Sequence, residues 1–522
     1  MFNLIDEPFI PVLRADGTPA EYSLRATLHK AGEIVELRDA SPLVTVALHR
    51  LLLAILHRVY GGPKTKAARL AIRKAGAFDT AKIDAYFAKW NDRFDLFHEA
   101  YPFFQRAGFK SDDPGGANTL AQEMARGNNV TLFDHTVDDP PPAMSPARAA
   151  RSLIADQGFA VGGGKSLTGN RTHGSLLRGA VSLVLGATLF ETLWLNLVVY
   201  DGSQMPVACD SDDALLWERD PKPPHEQPNV PMGYLDYLTW PARTVALHPE
   251  DEDGRVVIRR VTYSQGRKFE PKGAFYDPML AYFRDADEGD KPVRFNEFRD
   301  LWRDSSALFQ FGETNQTRGP AVLEGLKALS ADDLPRNRTY QVSMFGLAMD
   351  SRQAAKTLFW RHETLPLRLE YLDDPSAVVH LQHALTLAEE VSKVALRPAA
   401  WAVASNRLTA SADSSPDKGR VAQLVDAMAP ERYYWSRLEL KFRAFMVGLA
   451  KAPADDRAGV VHAWYWDDLR ETAEAAFERC VAVVDAGRDL KAVNAGAGVL
   501  RARLKQIQSD NQIPAREKAG AA

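Results

Sequence analysis

The chain has 522 residues, 45% of them hydrophobic and 25% charged, with a formal net charge of −4. That length predicts two to four domains with ample material for a core. The charge excludes a globally basic nucleic-acid coat, though not a local basic face, and two cysteines exclude a disulfide scaffold and a cysteine-built zinc site.

The opening MFNLIDEPFIPVL has no basic stretch leading into an apolar run, so it does not read as a signal peptide. Residues 2–14 alternate apolar and polar and carry Pro8 and Pro11, which predicts an edge strand turned at Asp16-Gly17. Tyr22–Leu28 reads as a second strand. Ser41-Pro42 predicts a helix start, and Val44, Leu48, Leu51, Leu52, Ile55, Leu56 and Val59 recur at helical spacing until Gly61-Gly62-Pro63. A further helix covers Ala81–Arg93, followed by Phe94, Phe97, Tyr101, Phe103 and Phe104. Aromatics this dense suit base stacking or, more commonly, a core.

Residues 108–175 are rich in Gly, Asn, Asp and Pro and are expected to be irregular, a length of loop that usually signals function. Within them lie Asn129-Val-Thr-Leu132-Phe133-Asp134-His135 and the run Gly162-Gly163-Gly164-Lys165-Ser166, with Arg171 and Arg178 nearby. Consecutive glycines let another molecule approach the backbone, and adjacent cations suit phosphate or a nucleic-acid groove. Leu176–Tyr200 reads as buried helix and strand, interrupted by Arg178, Glu191 and Asn196, rather than as a membrane span. Strands are expected at 234–247, 255–263 and 339–349. Arg267, Lys268 and Lys272 occupy a loop that ends at Gly273–Pro278, and Gln353, Ala354 and Ala355 follow the last of these strands.

From about Pro375 glycine becomes scarce and apolar residues recur every three or four positions. Val378, Leu381, Leu385, Ala388, Val391, Val394 and Ala395 share one helical face, and similar faces recur near 432–450, 458–486 and 490–507. The fold class expected is therefore α+β, a large mixed α/β N-terminal domain over 1–375 followed by a C-terminal four-helix bundle over 376–508, with a disordered tail at 509–522.

Gly164-Lys165-Ser166 followed by Asp201 suggests a P-loop NTPase. The motif needs Gly, four intervening residues, then Gly-Lys-Ser, and the residue at that first position is Phe159. The twelve histidines are scattered, Asp134-His135 stands without companion ligands, and no nucleophile elbow is present. No catalytic group, metal or cofactor is expected.

The stretch Phe2-Asn-Leu-Ile-Asp-Glu-Pro-Phe-Ile-Pro-Val12 resembles the N-terminal signature of the CasA/Cse family, the large subunit of the type I-E CRISPR Cascade surveillance complex. Asn129–His135, Gly162–Lys165, Tyr237-Leu-Thr-Trp240-Pro-Ala-Arg243, Gly273–Pro278 and Tyr434-Trp435-Ser-Arg-Leu438 follow in the family's order. The resemblance implies a non-catalytic cytoplasmic subunit that reads the protospacer-adjacent motif (PAM) of duplex DNA from the minor groove and starts R-loop formation. It implies a glycine loop at Gly162, Gly163 and Gly164 with Lys165, a lysine finger at Lys268 with Lys272 and Arg267 as competitors, and a wedge at Gln353 beside Ala354 and Ala355. Asn129, Leu132, Phe133, Asp134 and His135 match a loop that meets the guide-RNA 5′ handle. Implied partners are target duplex DNA, that handle, the other Cascade subunits and the CRISPR helicase-nuclease, with no membrane. Relatives that hold zinc carry cysteines where this chain has 247–265, which lacks them.

Overall fold

A computed structural model describes residues 1–121, 141–200, 212–270, 275–285, 289–311, 317–350, 357–409, 416–483 and 489–516. The chain divides into two compact units, one of residues 1–301 with 307–365, the other of 302–306 with 366–522.

The first unit mixes helices with small sheets. Strands Ile10–Arg14, Pro19–Tyr22 and Ile34–Leu37 form one sheet with Ile10–Arg14 in the middle, so the expected edge strand is a central one. Pro11 is tolerated there because pairing with the third strand begins at Val12. The expected strand at Tyr22–Leu28 is instead the helix Leu24–His29, nucleated by Ser23, whose hydroxyl accepts from the Ala26 amide at 3.2 Å. The helix Pro42–Val59 starts with proline in its first turn and stops at Gly61 and Gly62, whose φ values of 68° and 58° are left-handed. It is apolar enough and long enough to cross a membrane, yet 78% of it is buried inside the protein. The aromatic run forms core: Phe94, Phe103 and Phe104 are buried, and each rings against Trp217.

Within the expected irregular stretch lies a helix, Pro146–Phe159, capped by the Ser145 hydroxyl and packed on Pro42–Val59. Tyr234–Leu238, expected as strand, is a short helix. It leads to a long antiparallel hairpin, Arg243–Glu252 with Arg255–Gln265, turned at Asp253-Gly254 where φ is 54° and 79°. A third sheet orders Thr357–Leu367, Tyr340–Met349 and Val181–Leu185, with Tyr340–Met349 central.

The second unit is helical. Its long rods span 375–408, 430–451, 457–483 and 490–510, and a short helix covers Lys418–Met428. Tyrosines tie the rods through their hydroxyls: Tyr434 donates to the Ala388 carbonyl at 3.2 Å and Tyr371 to that of Met446 at 2.7 Å. Val394, expected on the core face, is 39% exposed, because a wide π-type turn over Val391–Leu396 shifts the helical phase. The last helix continues to Asp510, and the chain stays packed beyond it. Ile513 is buried, and Trp466 Nε1 donates to the Pro514 carbonyl at 3.0 Å. Of the tail expected from 509, residues 509–516 are thus packed; 517–522 lie outside the described residues.

Candidate nucleic-acid interface

Beyond Phe159 the chain doubles back on itself as a narrow hairpin. Gly174 N donates to the Ala160 carbonyl at 2.8 Å, Gly163 N to that of Arg171 at 2.9 Å, and Arg171 N to that of Gly164 at 3.2 Å. Ser166 and Gly169 exchange bonds of 3.1 and 3.2 Å to close the tip. Glycine is required for two separate reasons. A Cβ on Gly162 would stand 2.8 Å from the His173 nitrogen, so the two strands approach too closely for a side chain. Gly163 and Gly164 have φ of 123° and 75°, where L-residues are strained.

The hairpin is moored to the end of strand Arg255–Gln265. Ser166 Oγ accepts from the Gln265 amide at 3.0 Å, Thr168 N donates to Ser264 Oγ at 2.9 Å, and Thr172 N donates to Gln265 Oε1 at 2.6 Å. Arg243, 1% exposed, braces the root: Nη2 donates to the Val161 carbonyl at 2.9 Å and Nε to the Tyr263 hydroxyl at 2.9 Å. Arg171 is a brace rather than a free cation, since its Nε donates to the Gly163 carbonyl at 2.9 Å. Gly163, Gly164 and Lys165 face solvent.

The same strand runs on through Gly266 into the lysine segment, where side chains alternate. Arg267 is 1% exposed. It donates to Asp236 Oδ1 at 2.7 Å and to the Val230 carbonyl at 3.1 Å, and its guanidinium lies 3.8 Å above the Trp240 ring. Burial pulls its pKa down while the Asp236 carboxylate opposes that shift. Phe269 is buried against Tyr237 and Trp240. Lys268 between them is exposed. Lys165 and Lys268 have no hydrogen-bond or ion-pair partner among the described residues. Arg267, a competitor for the finger, is therefore committed to the core; Lys272, the other, lies outside the described residues.

The far end of this segment is pinned by a buried ion pair. Asp277 Oδ2 lies 3.0 Å from Arg50 Nη1 and accepts from the Tyr237 hydroxyl at 2.8 Å. Burial, with Asp277 beside it, pushes the Tyr237 hydroxyl well above its ordinary pKa.

The structure thus brings Gly162, Gly163, Gly164, Lys165 and Lys268 onto one root, two residues of chain, Gly266 and Arg267, separating Gln265 from Lys268. Gln353, Ala354 and Ala355 lie outside the described residues, in the connection between strands Tyr340–Met349 and Thr357–Leu367. Asn129, Leu132, Phe133, Asp134 and His135 lie outside them also. Sequence reasoning missed Gln265, Ser264 and Asp236; Arg243 was visible only as part of Trp240-Pro-Ala-Arg243.

This geometry disfavours a nucleotide-binding P-loop. Such a loop joins a strand to a helix with its hydroxyl free for metal. Here a helix precedes, a hairpin follows, and the Ser166 hydroxyl also donates to the Gly169 carbonyl at 2.5 Å. Asp201 lies outside the described residues. Among the described residues no group of three or more His, Cys, Asp or Glu could hold a metal ion.

The family profile of CRISPR-associated protein Cse1 matches residues 3–480. A Thermus thermophilus protein described as CRISPR-associated protein CasA/Cse1 is 34% identical over 482 residues, covering 89% of this chain and 91% of that one. The solved structure of Thermus thermophilus CasA (Cse1) superposes with a TM-score of 0.80 at 30% identity, covering 97% of this chain and 99% of its own. A chain of a solved CRISPR RNA-guided surveillance complex shares the fold, with a TM-score of 0.75 at 23% identity over 97% of this chain and 99% of that one.

Proposed function

The chain belongs to the family of CRISPR-associated protein Cse1, and from that premise we propose that it is the large subunit of a type I-E Cascade complex that reads the PAM from the minor groove. The observation that carries this reading is the shared root: an exposed glycine hairpin is moored to the end of the strand from which Lys268, unpartnered among the described residues, emerges. Glycines admit backbone to a groove only about 6 Å wide, and lysine donates to the acceptors on its floor. The minor groove is a degenerate code, so such a reader tolerates several motifs.

Gln353, flanked by Ala354 and Ala355, then acts as the wedge. Separating one base step costs a few kcal/mol and opens the duplex where the guide begins to pair. The loop at Asn129–His135 meets the guide-RNA 5′ handle, the second, helical unit is a four-helix bundle that meets neighbouring subunits, and the assembly recruits the CRISPR helicase-nuclease. The subunit works in the cytoplasm and is not itself an enzyme. Its net charge of −4 suits brief scanning rather than tight independent binding, since nonspecific affinity follows phosphate neutralisation.

The test is Lys268→Ala in the assembled complex. PAM-bearing duplex should bind more weakly by about 1–3 kcal/mol, the scale of one good base-edge contact; unchanged affinity would remove Lys268 from the site.

A further inference from the structure

Behind the lysine segment lies a cavity of about 640 Å³, within the range of small-molecule sites. Gly266 and Arg267 form part of its wall, so its lining reaches to within one residue of Lys268 in the chain. Phe104 and Trp217 supply an aromatic side, their rings 5.9 Å apart edge to face. Tyr101 adds another ring, over which the Arg93 guanidinium lies at 3.5 Å. Phe104 is held at φ +54°, a strained conformation for a bulky residue and one that concentrates at functional sites.

The lining carries six basic residues against three acidic ones. Arg219 and Arg267 are both committed to Asp236 at 2.7 Å. Arg106 is half-buried and Lys222 exposed, and neither side chain has a partner among the described residues. The Arg106 backbone is fixed, its amide donating to the Val245 carbonyl at 2.9 Å. An apolar ligand would leave these cations unanswered, and a bare phosphate would leave the aromatic wall unused. An unstacked base with its phosphate satisfies both.

We infer that this cavity receives one extruded nucleotide of a single DNA strand, the base against Phe104 and Trp217 and the phosphate on Arg106 and Lys222. The inference rests on the minor-groove reading for the origin of that strand: duplex opened beside Lys268 releases unpaired nucleotides close to the segment that walls the cavity.

The experiment uses the full chain with a short fluorescent oligothymidylate, a matching strand carrying an abasic site, and free thymidine monophosphate. The paired substitution Arg106→Glu with Lys222→Glu should weaken oligothymidylate binding roughly tenfold, in the range of one lost stacking and backbone contact. The abasic strand should bind the unsubstituted protein as weakly. Wild-type affinity in the doubly substituted protein overturns the inference, and so does full-strength binding of the abasic strand. Thymidine monophosphate binding as tightly as the oligonucleotide overturns the assignment to a strand. The two readings fail separately, because Lys268→Ala is scored on PAM-bearing duplex and the cavity on oligothymidylate.

Discussion

Gly162→Ala perturbs the hairpin without changing its charge. The added Cβ would lie 2.8 Å from the His173 nitrogen and the Thr172 carbonyl carbon, and 3.0 Å from the Arg171 oxygen. All three are backbone atoms, so no side chain can swing aside, and the hairpin must open by roughly half an ångström. The bonds nearest the insertion are Gly163 N to Arg171 O at 2.9 Å and Arg171 N to Gly164 O at 3.2 Å. Overpacking of this kind costs about 1–3 kcal/mol. Native-state hydrogen exchange reads it locally: the Gly163 and Arg171 amides should exchange roughly 5- to 150-fold faster. PAM-duplex affinity of the assembled complex should fall alongside, with every lysine intact. Gly164→Ala meets only the movable Arg171 Nη2 at 2.9 Å and should act mainly through strain at its φ of 75°. Wild-type exchange and wild-type duplex affinity in Gly162→Ala would refute the claim that close backbone approach shapes the loop.

Asp236→Ala removes the carboxylate shared by Arg267 and Arg219 and should destabilise the first unit by about 3–5 kcal/mol in urea denaturation, the cost of stranding a buried charge. His49 and His57 are buried, and that burial holds their pKa values down at about 4 and about 3, with Arg69 adding to the effect at His57. Both are neutral when folded, so stability is full above the unfolded value of about 6.5 and declines as pH falls toward 4, by about 1.4 kcal/mol per histidine at pH 5.5. His49→Gln should remove about half of that slope in denaturation curves taken across this range; an unchanged slope would contradict it. Purified protein should hydrolyse no nucleoside triphosphate, and turnover abolished by Lys165→Ala would restore the P-loop reading.

Some of this was legible in sequence because the signals are local. Ser41-Pro42 and Gly61-Gly62 bracket a helix whatever it packs against, and three consecutive glycines announce a special backbone. What fixes the loop in space was not legible. Arg243 reaches Val161 across 82 residues and Gln265 reaches Ser166 across 99, pairings with no spacing rule. The burial of Arg267 and exposure of Lys268 likewise depend on Asp236 and Trp240 rather than on the segment's own composition. The helix Pro146–Phe159 was obscured by the loop-like composition around it, and Val394 by a π-type turn that no periodicity reveals.

The central claim is that the reader enters the minor groove, and base analogues in the PAM test it most directly. Replacing guanine by hypoxanthine removes only the minor-groove N2 amino group, while 7-deazaguanine alters only the major-groove N7. Binding of the assembled complex should change with hypoxanthine and stay constant with 7-deazaguanine. The opposite pattern would place the reader in the major groove and contradict the roles given to Gly162–Lys165 and Lys268.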